Sequence, residues 1–97
     1  MSFVRHYLMT AREGEAATLQ AALESLSAKV APLPGCDGVE LYRDSDKPER
    51  FHFLERWQSV EQHKEGGKAL GKEAFAPIMA VLAGPPEAAS LDPIDLG

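Results

Sequence analysis

The sequence predicts an α+β domain in which a four-stranded antiparallel sheet carries its helices on one face, in the order β-α-β-β-α-β. Three observations predict it: a period-two apolar alternation near the start, a long stretch with helical apolar spacing, and a strand–turn–strand unit in the middle of the chain.

Each element follows from its residues. Phe3, Arg5, Tyr7 and Met9 fall on one face of an extended run and Val4, His6 and Leu8 on the other. From Glu13 to Ala31, the residues Ala16, Leu19, Leu23, Leu26 and Val30 recur at three- and four-residue steps and line one side of a helix. Pro32 and Pro34-Gly35 stop it. From Asp37 to Arg43, Val39 and Leu41 alternate with Glu40 and Tyr42. A polar link from Asp44 to Pro48 then leads to a second extended run, Arg50 to Trp57, and together they predict a hairpin with a long turn. Ser59 and Gln62 have capping-box spacing, so a short helix is expected over Val60 to Glu65, loosened by Gly66-Gly67. A further helical stretch, Lys68 to Leu82, places Gly71, Phe75, Ile78, Met79 and Leu82 on one side, with Pro77 bending or restarting it. Pro85-Pro86 ends that stretch, and residues 87–97, with Leu91, Ile94 and Leu96, form a last strand or a docked arm.

This order is the ferredoxin-like split arrangement. A chain of 97 residues suffices for one such domain, residues 1–97, with a thin core. The second face of the sheet needs a cover, and two sheets packed together supply it, so the fold reading implies a homodimer.

Composition narrows the function classes. Fifteen acidic against ten basic side chains give a net charge of -5, which repels a phosphate backbone, and no basic face with interleaved aromatics is present; nucleic acid is not an expected partner. Apolar stretches are broken well short of the roughly 20 residues of a membrane span, and Met1 to Thr10 lacks a signal-peptide core, so no membrane partner and a cytoplasmic location are expected. The single cysteine, Cys36, agrees with a reducing compartment and reads as a half-buried strand residue rather than a nucleophile. No metal site is expected, because the histidines and acids show no ligand spacing, and no Gly-rich phosphate loop is present.

The run Pro34-Gly35-Cys36-Asp37-Gly38-Val39-Glu40-Leu41-Tyr42-Arg43, then Phe51-His52-Phe53-Leu54-Glu55-Arg56-Trp57-Gln58-Ser59, then His63, resembles the central signature of the antibiotic-biosynthesis-monooxygenase family. Phe75-Ala76-Pro77-Ile78 and Gly84-Pro85-Pro86 resemble its closing helix. The resemblance implies a dimeric α+β barrel. Members include cofactor-free oxygenases of anthrones and hydroquinols, haem degraders, and many proteins of unassigned activity. In the oxygenases a reduced aromatic substrate is deprotonated in an apolar pocket and its carbanion passes an electron to dioxygen, without metal or flavin. No cofactor is therefore expected. The haem-degrading branch has an asparagine where Tyr7 stands and a histidine ligand on the later helix, and no histidine follows His63 here.

Period two puts Phe51, Phe53, Glu55 and Trp57 on one strand face, so a carboxylate interrupts an aromatic row. Such a carboxylate must be paired, hydrogen-bonded or protonated; it is either a structural partner or a group acting in the pocket. Trp57 is either core or a flat wall for a ring-shaped ligand. His63, six residues on, stands where the family pattern often turns a histidine toward the cavity, and an imidazole suits base work near neutrality. Glu55 and His63 are thus the catalytic candidates, against surface or capping roles. Tyr7 could hydrogen-bond a phenolic or quinone oxygen and Arg5 could stabilise an enolate, against ordinary core-edge and salt-bridge roles. Phe53 and Phe75 complete the expected substrate-binding set. His6 and His52 fall on the opposite strand faces and are read as structural. The leading expectation is a cofactor-independent monooxygenase oxidising a small aromatic, hydroquinone or anthrone-like, with dioxygen. The alternatives are a dimeric binding protein for an aromatic or apolar metabolite, and a dimerisation or stress-associated protein with a vestigial pocket.

Overall fold

The computed structural model describes residues 2–97. Strands β1 (Phe3–Thr10), β2 (Cys36–Arg43), β3 (Arg50–Trp57) and β4 (Glu87–Leu91) form one antiparallel sheet in the order β2-β3-β1-β4. Helix α1 (Ala16–Val30) joins β1 to β2, and α2 (Val60–Leu70), a 3₁₀ turn at Lys72–Ala74 and α3 (Ala76–Met79) join β3 to β4. This is the α+β ferredoxin-like arrangement expected from the sequence.

Register decides which side chains meet the helices. Phe3 lies opposite Trp57, Arg5 opposite Glu55, Tyr7 opposite Phe53 and Met9 opposite Phe51, so both aromatic rows share the helix-covered face. Val39 and Leu41 of β2 join that face beside Glu55 and Phe53. The stripe Leu19, Leu23, Leu26 and Val30 of α1 is buried, and with Phe51, Phe53, Trp57, Ile78 and Leu82 it makes the core. Ala16, the first residue of that stripe, is half-buried. The helix begins there rather than at Glu13, because Gly14, at φ +80°, turns the chain before it.

The second half departs from the expected pattern in an informative way. Ser59 Oγ accepts the Gln62 amide N–H at 3.1 Å, as the capping spacing requires. The helix, however, does not loosen at Gly66-Gly67 but runs on to Leu70. Gly66 is buried against Trp57: a Cβ there would stand 2.8 Å from Trp57 Cη2 and 3.2 Å from Leu33 Cδ1. Close approach of the helix to the indole offsets glycine's low helix propensity. Nor does one helix span Lys68 to Leu82. Gly71, at φ +75°, closes α2, and the chain restarts as α3 with Pro77 in its first turn, where a missing N–H costs nothing. The expected single apolar side is consequently split: Ile78 and Leu82 are buried, whereas Met79 is 52% exposed.

The segment after α3 is tied to the end of β1. Arg12 donates its amide to Val81 O at 2.9 Å, Ala83 donates to Thr10 O at 2.9 Å, Ala11 and Leu82 form an antiparallel bridge, and Arg12 Nε donates to Leu82 O at 3.1 Å. Of the C-terminal residues, Glu87–Leu91 form the last strand, while Ile94 and Leu96 lie 79% and 94% exposed beyond it.

Among the described residues, the sheet's other face carries no helix. It presents Val4, His6, Leu8, Leu54 and Tyr42, with the His6 and His52 rings stacked at 5.2 Å and their Nε2 and Nδ1 atoms 3.0 Å apart. These two histidines thus lie on the opposite face from the Tyr7 and Phe51 rows, as the alternation requires.

Candidate functional site

Between the sheet and the helices, β1, β3 and α2 bring Tyr7, Glu55, Trp57 and His63 together. Period two turns Tyr7 and Glu55 to the same side, and the capped start of α2 carries His63 over them. The His63 ring packs edge-on between Phe3, at a centroid distance of 5.7 Å, and Trp57, at 5.5 Å. That clamp aims its Nε2 at the Tyr7 hydroxyl, 3.4 Å away, and at Glu55 Oε1, 3.8 Å away. Trp57 donates its indole N–H to Glu55 Oε1 at 2.9 Å.

The surroundings shift all three titratable groups. Burial pushes the Glu55 carboxyl above the usual carboxylate range, opposed by the Trp57 hydrogen bond and the positive charge of Arg5. Burial holds the His63 imidazole below its ordinary value, with Arg5 and Lys64 adding to the effect. Burial also raises the Tyr7 phenol, with Arg5 pulling the other way. Burial thus disfavours the charged form of both Glu55 and His63 and works against a charged pair at their 3.8 Å contact.

Two hollows with shared lining residues border this cluster. A cavity of about 120 Å³ is walled by Tyr7, Met9, Phe53 and Glu55 from the sheet, Leu26 from α1, and Phe75, Ile78, Met79 and Pro86 above. A smaller one of about 50 Å³ lies under α2, between Trp57, His63, Gly66, Gly67 and Leu70, and shares Tyr7, Glu55 and Phe75 with the first. His63 borders only the smaller hollow, and the larger one is apolar throughout. Among the described residues no three His, Cys, Asp or Glu side chains gather as a metal-binding group, and no helix is long and apolar enough to cross a membrane.

The model of the antibiotic biosynthesis monooxygenase family matches residues 2–65, which carry β1 to β3 and the His63 turn of α2. The chain belongs to that family. No curated protein matches it in sequence. Solved structures superpose on it closely. Rv0793 of Mycobacterium tuberculosis has a TM-score of 0.84 at 19% identity, over 98% of this chain and 97% of that one. An antibiotic biosynthesis monooxygenase-type protein of Caulobacter crescentus has a TM-score of 0.85 at 26% identity, over 97% and 91%. SnoaB, a cofactor-independent oxygenase from Streptomyces nogalater, has a TM-score of 0.81 at 14% identity, over 97% and 94%. At these identities the likeness to Rv0793 and SnoaB is one of fold.

Of the residues singled out in the sequence, Tyr7, Phe53, Glu55, Trp57, His63 and Phe75 all border the two hollows. Arg5 does not line them. Its guanidinium lies over the Tyr7 ring, 5.2 Å from the centroid, and donates to Ser90 Oγ at 2.9 Å, while its Nε is buried without a hydrogen-bond partner among the described residues. Sequence reasoning missed Leu26, Ile78, Met79, Pro86 and Gly66 as site residues. Leu26 and Ile78 carried only a core signal, and nothing in the spacing of Gly66 revealed the indole beneath it.

Proposed function

We propose that this member of the family is a cofactor-independent monooxygenase, acting as a cytoplasmic homodimer on a small reduced aromatic of the hydroquinone or anthrone type. The observation that carries the reading is the convergence of Tyr7, Glu55 and His63 at the small hollow under α2, beside an apolar cavity that Tyr7 and Glu55 also border. A neutral imidazole with an aimed Nε2 is a general base. Tyr7 orients the substrate's hydroxyl oxygen, and Glu55, 3.8 Å from the same nitrogen, shares the proton that His63 takes up.

Deprotonation makes the ring electron-rich enough to pass one electron to dioxygen. Recombination of the radical pair gives a hydroperoxide, and loss of water leaves a carbonyl. A hydroquinone and O₂ thus become a hydroxyquinone and water, and an anthrone becomes an anthraquinone and water, with one oxygen atom in each product. The substrate supplies both electrons, and the protein supplies the base, the orientation and a dry enclosure.

Oxygen-electrode measurements on metal-free protein with a panel of hydroquinones and anthrones test this. Uptake of one O₂ per substrate and entry of one labelled oxygen atom into the product are expected. Saturable binding without oxygen uptake would instead make the chain a binding protein for aromatic metabolites.

A further inference from the structure

We propose that the His6–His52 pair is a proton-sensitive latch on the homodimer: uncharged, it lets a second copy cover the helix-free face of the sheet, and protonated, it releases that copy. This rests on the reading of the chain as a homodimer and adds a control to it.

Strand register builds the pair. His6 of β1 stands opposite Leu54, and His52 of β3 stands opposite Leu8, so the two are diagonal neighbours on adjacent antiparallel strands. Their half-buried rings lie within 5° of parallel, and His6 Nε2 is 3.0 Å from His52 Nδ1. A hydrogen bond between two ring nitrogens needs a proton on one and a free lone pair on the other. The pair therefore accepts one proton while keeping this bond, as an imidazolium donating to an imidazole. A second proton sets N–H against N–H and breaks it.

The face around the pair suits a second copy. Its charged side chains are Glu40 on β2, Arg50 and Arg56 on β3 and Glu87 on β4, two of each sign, in a chain of net charge -5. Two copies thus meet here without the repulsion that the rest of their surface carries. Arg56 donates to Glu40 Oε1 from Nη2 at 2.7 Å and from Nε at 3.1 Å, and Tyr42 donates to Glu40 Oε2 at 2.6 Å. With the histidines bonded to each other as well, a covering copy takes water from these groups without orphaning them.

An added proton changes that balance, because an imidazolium under cover needs a counter-charge. Glu40 cannot supply it: the hydrogen bonds from Tyr42 and Arg56 hold its carboxyl below the usual range, and Arg56 already offsets its charge. Arg50 and Arg56 repel the new charge. Glu87 borders the hollow beside His6 from the exposed edge strand β4, and it is the one carboxylate left on the face to offset it. Imidazoles change charge between about pH 5 and 8, so the release belongs to that range.

The test is sedimentation velocity of the native chain and of His6→Gln/His52→Gln, over a concentration series at about pH 8 and about pH 5.5, with circular dichroism at both. The native dimer should weaken by about tenfold or more on acidification, since each dimer carries two such pairs. The double variant keeps amides that hydrogen-bond but take no proton, and its Kd should change by less than about threefold. Glu87→Gln, which removes the offsetting charge, should separate at higher pH than the native chain; a pH response lost in that variant places the sensor at Glu87 and overturns the proposal. A double variant that weakens as much as the native chain overturns it too. A native dimer equally tight at both pH values overturns the latch and leaves the homodimer standing, whereas a native monomer at pH 8 overturns both. Separation accompanied by unfolding also counts against the latch, because the proton then acts on the fold. If the double variant fails to fold or to associate, the histidine ring NMR signals of the native protein decide. Those of His6 and His52 should titrate over the pH range in which the dimer separates, and separation without their titration overturns the latch.

Discussion

Trp57 hands its indole N–H to Glu55 Oε1 at 2.9 Å, although both side chains spring from the same face of one strand, two residues apart. The contact gives a buried carboxyl its donor and fixes the indole that forms one wall of the site. Trp57→Phe keeps one aromatic ring and removes the donor together with part of the indole's bulk. It should destabilise the fold by about 1–3 kcal/mol, the penalty for an orphaned buried acceptor plus a smaller ring. Trp57→Ala, which also empties the core, should cost about 3–5 kcal/mol. Urea unfolding monitored by circular dichroism measures both.

Glu55→Gln keeps the shape and the acceptor for Trp57 while removing the charge. Because the Glu55 carboxyl is raised in the folded protein, the folded state binds its proton more tightly than the unfolded chain does. Its contribution to stability is therefore fully present below the ordinary glutamate value of about 4.3 and is lost as pH rises through the raised folded value. Gln carries no such loss. The variant should gain stability relative to the native protein at neutral pH, and the gain should vanish near pH 4. A pH-independent difference in melting temperature would tie Glu55 to some interaction other than its burial.

His63→Ala should leave the fold intact and lower turnover of a confirmed substrate by about 10²–10⁴-fold, the usual share of a general base. The imidazole is held below its ordinary value of about 6.5, so the base stays unprotonated into mildly acidic solution, and the rate should fall only below that value. A loss smaller than tenfold, or a rate that falls already above pH 7, argues against His63 as the base. If Glu55→Gln abolishes turnover while His63→Ala does not, the carboxylate holds that role.

The legible part of this molecule is the part governed by short periods. Alternation in β1 and β3 placed Tyr7 and Glu55 on one face because a strand's pleat allows no other outcome, and the Ser59–Gln62 spacing located the turn that carries His63. The stretch after Gly66 was not legible, because two local signals misled. Paired glycines read as loosening the helix when the deciding interaction was with an indole nine residues earlier. The stretch from Lys68 to Leu82 read as one helix bent or restarted at Pro77, although α2 ends before Gly71 and a 3₁₀ turn separates it from α3. The roof of the cavity is built from the stretch after Gly66, which is why Ile78, Met79 and Pro86 were missed there while Phe75 was found.

The helix-free sheet face predicts a homodimer. Leu8, Leu54 and Tyr42 lie there, and Leu91, Ile94 and Leu96 of the C-terminal segment are exposed. A stable interface typically buries about 1,600 Å² in total, and that face and the C-terminal arm are the surfaces from which it would be drawn. Light scattering should report twice the chain mass at micromolar concentration. Leu54→Asp, at the centre of the face, should shift the protein to monomer, and removal of residues 92–97 should weaken the association. A native protein that scatters as a folded monomer would falsify the dimer.

Neighbouring glycines on α2 give a sharper comparison. Gly66 and Gly67 carry the same intrinsic helix penalty, so replacing either by Ala should stabilise the helix by about 0.5–1 kcal/mol if nothing else intervened. Around Gly67 nothing lies within 4 Å of the added methyl, and Gly67→Ala should show that gain. At Gly66 the methyl would stand 2.8 Å from Trp57 Cη2, and the indole cannot retreat, because it is fully buried and its N–H is held by Glu55. Gly66→Ala should therefore lose about 1–3 kcal/mol through overpacking, and it should also disturb the Trp57–Glu55 hydrogen bond, lowering activity along with stability. Melting temperatures and turnover of the two single variants, measured side by side, decide the matter. Opposite signs at adjacent residues are expected, and equal effects would mean that α2 shifts freely over the indole and that Gly66 does not set the position of the site.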